Sequence, residues 1–158
     1  MNLESFEDIK TLMDNFDPAT LLPDLSTLAG KVELITRIAV LIGPIVLLVM
    51  GLMYLLLSPK EANYYFGYRC YFGMGSVEAW RFTQRLAGIV WGVLGLALTG
   101  IMFLLTSGLA GKEVMDIISS GVTWILWEIG LALVSCLVIN LIVMLRFNRK
   151  GELRGRNA

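Results

Sequence analysis

Three long apolar stretches dominate the sequence, at about residues 34–58, 86–109 and 121–145. Each contains the roughly 20 mainly apolar residues that a helix needs to cross the hydrocarbon core of a bilayer. Because backbone polar groups inside a bilayer must be satisfied within the segment, each stretch is predicted to be a helix. With 56% hydrophobic residues in 158, the chain holds more apolar surface than one soluble domain of that length buries. The sequence therefore predicts an all-α membrane protein with three transmembrane helices.

Residues 1–33, before the first stretch, form a separate segment with an acidic bias. Its apolar residues recur at the spacing of one helix face, which predicts an amphipathic helical arm. Two interpretations of this arm stay open: a lid or docking helix on the outer membrane surface, and a helix packed on the outer end of the bundle. The apolar face consists of Leu3, Phe6, Ile9, Leu12, Met13 and Phe16.

Lysine and arginine are unevenly distributed between the connections. Nine of them lie in the loop 59–85 and the tail 146–158, against four in the rest of the chain. Because basic residues are enriched on the cytoplasmic side of membrane proteins, the loop and the tail are predicted to be cytoplasmic and the N-terminus extracytoplasmic. The arginines of the tail are interpreted as a source of charge only.

Composition disfavours several classes of function. The chain has no histidine, and Cys70 and Cys136 are far apart, so we interpret both as reduced thiols and expect no metal site and no cofactor. A net charge of zero gives no indication of direct nucleic-acid binding. The sequence also contains none of the common catalytic motifs, and we therefore expect that the protein is not an enzyme.

The loop 59–85 is rich in aromatic residues, arginine and glycine. Ser76 followed by Glu78 is typical of a helix start, so residues 76–85 are predicted to continue into the second span as one helix. On this extension, Trp80, Gln84 and Gly88 share one face. Residues 59–75 are predicted to be irregular.

Gly88 and Gly92 form a GxxxG pair in the second span. Small residues at this spacing let another helix backbone approach closely. The approaching helix belongs either to the same bundle or, in a homo- or hetero-oligomer, to another chain.

The irregular part of the loop contains the sequence Phe66-Gly67-Tyr68-Arg69. The glycine permits a turn or a close backbone approach, and the arginine can stack on flanking rings while its guanidinium faces a carboxylate or phosphate. Together with its neighbours, this stretch resembles the signature of the SdpI family of bacterial membrane proteins. Two positions depart from that pattern, Cys70 where the family has Thr and Gly73 where it has Ser. The signature and binding residues implied by the resemblance are Asn63, Phe66, Gly67, Tyr68, Arg69, Met74, Glu78, Trp80 and Gly88.

The resemblance implies a multi-pass protein of the bacterial cytoplasmic membrane. The characterised family member is an immunity protein that protects a toxin-producing cell from its own secreted peptide and sequesters a transcriptional repressor at the membrane. The implied partners are therefore the lipid bilayer, a peptide toxin and a cytoplasmic regulator. We further expect that Arg69 and Glu78 are able to pair and so hold the loop onto the helix extension.

Two charged residues lie inside predicted spans, Glu128 in the third and Arg37 in the first. An ionised carboxylate without a partner is costly within a bilayer. Since Ser135 and Ala132 lie near the same helix face, we predict that Glu128 faces the bundle interior near the outer leaflet, either paired with Arg37 or protonated. The alternative is that Glu128 leans outward to reach water at the interface.

Two functions are compatible with these features. The first is immunity to, or binding of, a membrane-active peptide, with recruitment of a cytoplasmic partner. The alternative is a structural or accessory subunit of a larger membrane complex or transporter, for which three spans, a GxxxG pair and an amphipathic arm serve equally well.

Overall fold

The computed structural model describes residues 25–62 and 65–154 of the chain. They form three helices, α1 (Leu25–Leu56), α2 (Val77–Ser107) and α3 (Val114–Arg146), with one short 3-10 turn (Phe72–Met74) between α1 and α2. All three helices are long and apolar enough to cross a membrane. The predicted all-α membrane fold is confirmed.

The start of α2 follows from its capping residue. The Ser76 hydroxyl oxygen accepts a hydrogen bond from the backbone N–H of Ala79 at 3.1 Å, and Glu78 lies in the first turn, where a negative charge is favourable. The helix then continues without interruption to Ser107. The prediction of one helix comprising the extension and the second span is therefore confirmed.

The other two helices are longer than the apolar stretches that predicted them. α1 begins at Leu25, so residues 25–33 of the proposed arm belong to the first helix. The remainder of the arm, residues 1–24, lies outside the described residues, and its predicted amphipathic helix stays a prediction. α3 begins at Val114 and ends at Arg146, next to Phe147, whose N–H bonds to the Val143 carbonyl.

Glycines bring α1 and α2 into close contact. A Cβ atom added at Gly88 would lie 2.7 Å from Leu55 Cγ, and one added at Gly95 would lie 2.9 Å from the Pro44 carbonyl oxygen. Gly51 of α1 faces the backbone of Gly92 directly. α1 therefore covers Gly88 and Gly95, whereas a Cβ atom at Gly92 would meet nothing within 4 Å. The GxxxG pair thus serves packing within the bundle at Gly88, and an oligomer contact through Gly92 stays a prediction.

The helices alternate in direction, so that one end of the bundle, here the loop end, gathers the C-terminus of α1, the N-terminus of α2 and the C-terminus of α3. One cluster of buried residues lies towards this end and includes Tyr54, Tyr68 and Phe147. A second cluster around Val40, Leu98 and Met102 lies farther along the bundle. Most of the large apolar side chains on the three helices are exposed, as lipid-facing surfaces require.

Candidate functional site

Trp80 and Gly67 form the centre of the folded signature loop. The Trp80 side chain is fully buried, and its indole N–H donates a 3.0 Å hydrogen bond to the Pro59 carbonyl at the end of α1. Gly67 has a φ of 126° and lies against the indole ring, where a Cβ atom would approach the ring carbons to 2.6 Å. The contact thus requires glycine for its backbone conformation and for the space it leaves.

Gln84, one turn after Trp80, holds the backbone of the next loop residue. Its side-chain oxygen accepts a 2.8 Å hydrogen bond from the Tyr68 N–H, and its side-chain nitrogen donates a 2.7 Å hydrogen bond to the Tyr68 carbonyl. Gln84 is fully buried. One side chain from α2 therefore satisfies both the N–H and the carbonyl of Tyr68, a residue without regular secondary structure.

The Tyr68 side chain connects the loop to α3. Its hydroxyl lies 3.2 Å from both the Cys136 carbonyl and Asn140 Oδ1, and its single proton donates to one of them at a time. Its ring meets Trp91 edge to face, and the Trp91 N–H donates to the Ser135 hydroxyl at 3.1 Å. Burial raises the pKa of the Tyr68 phenol, with a smaller contribution from the Cys136 thiol. Tyr68 therefore acts here as a neutral hydrogen-bonding anchor.

The remaining signature residues lie at the edges of this unit. Phe66 packs on Tyr54 with ring centroids 5.5 Å apart, whereas Arg69, Met74 and Glu78 are exposed. The expected ion pair does not form between the described residues Arg69 and Glu78. Asn63 lies outside the described residues.

Cys70 and Gly73, the two positions that depart from the signature, contact each other. A Cβ atom at Gly73 would lie 2.8 Å from Cys70 Sγ and would also overlap the Thr83 hydroxyl. A serine at position 73 therefore requires a shift of Cys70 or Thr83. Burial raises the pKa of the Cys70 thiol, so that it stays protonated at neutral pH.

A groove of about 540 Å³ runs between the signature loop and α3. Apolar side chains form most of its walls, and Arg69 and Asn140 provide polar groups at its edges. Arg69 thus lies at the edge of this mainly apolar groove. The lining consists of Arg69, Cys70, Tyr71, Phe72, Leu137, Asn140, Leu141 and Met144.

Comparison with protein families supports the resemblance seen in the signature loop. The family model described as the SdpI/YfhL protein family matches residues 60–145, which include the signature loop, α2 and nearly all of α3. The chain belongs to the SdpI/YfhL protein family. No curated protein and no solved structure matches it. Its three apolar helices and its family together make it a multi-pass integral membrane protein.

Gln84 belongs to the candidate site of this SdpI/YfhL family member, although it was not among the predicted signature residues. The available signal was its position on one helix face with Trp80 and Gly88. The structure gives that face three successive contacts: Trp80 meets Gly67, Gln84 bonds Tyr68, and Gly88 meets Leu55. A buried glutamine in such a row needs a backbone partner, which the adjacent irregular segment provides.

The residues that follow α3 form a compact turn instead of a simple charged tail. Within residues 147–154, Asn148 Oδ1 accepts two backbone hydrogen bonds, and Gly151 adopts a φ of 74°. The Ser76 hydroxyl donates a 2.7 Å hydrogen bond to the Gly151 carbonyl. Since the same hydroxyl oxygen caps α2, the tail turn is docked on the first residues of that helix.

Arg146 has a defined contact as well as a charge. Its guanidinium carbon lies 4.2 Å from the centre of the Phe82 ring, which also packs on the buried Phe147. Such a cation–π contact needs the planar guanidinium to lie over the ring face. The interpretation of this arginine as a source of charge did not include this packing contact, and whether its charge alone suffices for function stays a prediction.

Glu128 is buried, with 6% of its surface exposed, and faces α1 at Gly43. Its predicted orientation towards the bundle interior agrees with this burial. The predicted pair with Arg37 does not form, because Arg37 pairs with Glu33 one turn earlier on its own helix. The local partner is four residues away, the spacing at which helix side chains meet.

Proposed function

We propose that this family member binds a membrane-active peptide at the loop end of the bundle and thereby protects the cell that carries it. This is the role that the SdpI resemblance implies. Binding rather than catalysis is part of the proposal, since the sequence has no histidine and no catalytic motif.

The groove between the signature loop and α3 is the observation that carries the proposal. It measures about 540 Å³, within the range of sites that hold small ligands or short segments of a chain. Leu137 and Leu141 offer apolar walls, while Arg69 and Asn140 stand at the edge. An amphipathic peptide has the matching arrangement of apolar and polar groups.

The hydrogen bonds that hold the signature loop next to the groove support the same proposal. Tyr68 is anchored on both sides of the signature loop, through Gln84 on α2 and through Asn140 on α3. Asn140 is also a groove residue. The hydrogen bonds that fold the loop therefore also fix one wall of the groove, and a preformed site avoids an ordering cost on binding.

Survival of toxin-sensitive cells tests the proposal. Cells expressing the wild-type chain are challenged with candidate membrane-active peptides, alongside cells expressing Leu137→Trp or Leu133→Trp. Both leucines are lipid-exposed on α3, at 67% and 61%, but only Leu137 lines the groove. We expect Leu137→Trp to lose protection and Leu133→Trp to keep it at equal membrane abundance. Equal protection by the two variants would exclude the groove as the binding site.

Recruitment of a cytoplasmic partner is the second part of the proposal. A pocket of about 200 Å³ at the loop end is lined by Lys60, Arg81 and Arg85, together with Ser58 and Pro59. The Arg81 Nε–H donates to the Lys60 carbonyl at 3.3 Å, which holds one guanidinium beside the pocket. Three basic side chains around one concavity suit an acidic surface. Replacing Arg85 with Glu should abolish recruitment of such a partner without affecting survival in the peptide challenge.

The alternative function is an accessory subunit of a larger membrane complex. The lipid-facing helix surfaces favour it in general terms, because they offer apolar area to other spans. Genes next to this one discriminate the two functions. A peptide toxin and a small repressor favour immunity, whereas permease genes favour an accessory subunit.

A further inference from the structure

A second, smaller groove lies between α1 and α3, away from the signature loop. It has a volume of about 170 Å³ and opens on the side of the bundle. Glu128 is the only ionisable residue in its lining, and all the others are glycine, alanine, leucine or isoleucine. An ionisable group thus lies in an otherwise apolar groove within the membrane-spanning part of the protein.

One oxygen of the Glu128 carboxyl group is buried without a hydrogen-bond partner. Its Oε1 atom has no hydrogen-bond partner among the described residues. The one ion pair in that part of the chain joins Arg37 to Glu33, so the nearest arginine on α1 is already engaged. An ionised carboxylate in this position would cost several kcal/mol unless a cation reached it.

The helix opposite makes room for this carboxyl group. A Cβ atom at Gly43 would lie 2.8 Å from Glu128 Oε2, so a residue larger than glycine would displace the side chain. The next residue, Pro44, has no backbone N–H to offer. α1 therefore leaves space for the carboxyl group but offers no group at Gly43 or Pro44 that would stabilise its ionised form.

The rim of the groove is suited to another helix. Its lining includes three residues with small side chains or none, Ala39 and Gly43 on α1 and Ala132 on α3. Small residues at such positions let a neighbouring helix backbone approach, and polar groups then stabilise the contact. A helix that brings a basic side chain to this depth would supply the missing charge.

We propose that the Glu128 groove binds the lysine side chain of a second membrane-inserted helix. In the empty groove the carboxyl group holds a proton. When a neutral lysine amine enters, the proton moves from the carboxyl oxygen to the amine nitrogen, which leaves a carboxylate paired with an ammonium ion. Charge and atoms balance, and both groups enter and leave the hydrocarbon region in neutral form.

This inference does not rest on the proposed function. The Glu128 groove shares no lining residue with the groove beside the signature loop. The helix that carries the lysine is a span of a partner membrane protein, since the groove lies between the membrane-spanning helices α1 and α3. Peptide-challenge survival of Glu128→Gln checks this choice. Protection should stay at the wild-type level, and its loss would assign the groove to a secreted peptide and overturn the proposal.

Reaction with a hydrophobic carbodiimide tests the empty groove. This class of reagent partitions into the membrane and adds to protonated carboxyl groups. The purified full-length chain in phosphatidylcholine vesicles should be labelled at Glu128, located by mass spectrometry of its fragments, and Glu128→Gln should lack that label. No labelling at Glu128 would mean that the group is ionised or closed off, and would overturn the proposal.

Two synthetic transmembrane peptides of leucine and alanine test the occupant. One carries a single central lysine and the other carries norleucine at the same position. We expect the lysine peptide to bind the wild-type chain about tenfold more tightly than the norleucine peptide, which corresponds to about 1.4 kcal/mol. The preference should disappear in Glu128→Gln, and the lysine peptide alone should protect Glu128 from the carbodiimide.

Gly43→Ala provides a second variant that keeps the carboxyl group. Its added methyl group would intrude on Glu128 Oε2, so the lysine preference should fall, whereas Gly100→Ala has open space around the new methyl group and should leave it unchanged. Equal binding of the two peptides to the wild-type chain would overturn the proposal, as would a lysine preference that survives in Glu128→Gln.

Discussion

The Gln84 side chain makes both hydrogen bonds of the Tyr68 backbone, at 2.8 Å to its N–H and 2.7 Å to its carbonyl. An irregular loop residue is thereby bonded by a helix side chain in the way that a neighbouring β-strand would bond it. Because Gln84 is fully buried, water cannot replace these bonds if the side chain is removed.

Gln84→Leu should therefore destabilise the folded chain markedly. It leaves the N–H and carbonyl of Tyr68 buried without partners, and we expect a loss of about 1–3 kcal/mol in the free energy of unfolding. Thermal unfolding in detergent measures the change. Arg85→Leu, at the exposed neighbouring position, is the control and should unfold close to the wild-type temperature. Equal unfolding temperatures for the two variants would show that these hydrogen bonds contribute nothing.

Gly67→Ala should disrupt the contact between the loop and Trp80. The added methyl group meets a φ of 126° and two indole carbons at 2.6 Å. Gly111→Ala is a suitable control, because Gly111 also has a positive φ, of 77°, but open space around it. We expect Gly67→Ala to quench or shift tryptophan fluorescence and to lower the unfolding temperature more than Gly111→Ala does. A similar effect of both changes would assign the whole cost to backbone conformation.

The helices and the cap at Ser76 were predictable from the sequence, because hydropathy and capping act over a few residues. The hydrogen-bond partners of Trp80 and Gln84 were not, since they lie 21 and 16 residues away in an irregular segment whose path local patterns do not specify. For Arg37, in contrast, the local partner was overlooked. Its pairing with Glu33 follows the local spacing rule, and a longer-range partner was predicted in its place.

The turn at residues 147–154 was also predictable only in part. Its internal features, an asparagine and a glycine in a short polar segment, are ordinary turn signals. Its docking on Ser76 depends on the lengths of α2 and α3, which bring the two segments to the same end of the bundle. The charge of the basic residues therefore predicted the side of the membrane on which they lie, but not the turn that contains them.

Gly151→Ala should release this turn from α2. Gly151 has a φ of 74°, and a Cβ atom there would overlap the Ser76 backbone. We expect faster cleavage by trypsin after Arg149 and Lys150 than in the wild-type chain, measured by mass spectrometry of the released peptide. Gly111→Ala adds the same methyl group at another glycine of positive φ, with open space around it, and is the control. Identical cleavage rates in the two variants would contradict docking through Gly151.

The orientation of the chain in the membrane stays a prediction from its basic residues, nine of which lie at the loop end or in the tail. In a chain with Cys70 and Cys136 replaced by Ser, single cysteines at Lys112 and Glu61 lie at opposite ends of the bundle, and both positions are exposed. A membrane-impermeant maleimide added to intact cells should label Lys112→Cys and spare Glu61→Cys. The reverse labelling pattern would invert the assignment.

Cys70 should react with alkylating reagents only at unusually high pH. Burial raises the pKa of its thiol, and the thiolate is the reactive form, so the rate should rise at a more alkaline pH than for an exposed cysteine. The comparison uses Cys136→Ser, which retains Cys70, and a chain whose single cysteine replaces the neighbouring Tyr71, 71% exposed.

The pKa of each thiol is given by the midpoint of its alkylation rate plotted against pH, and not by the plateau of that curve. Steric access lowers the plateau for a half-buried thiol at every pH, whereas desolvation moves the midpoint. We expect the Cys70 midpoint to lie above that of the exposed cysteine. Gly73→Ala, which pushes on Cys70 Sγ, should change the midpoint by altering the packing around the thiol. Coincident midpoints for Cys70 and the exposed cysteine would mean that the thiol beside the signature loop is solvated, and that the wall of the groove it belongs to is open to water.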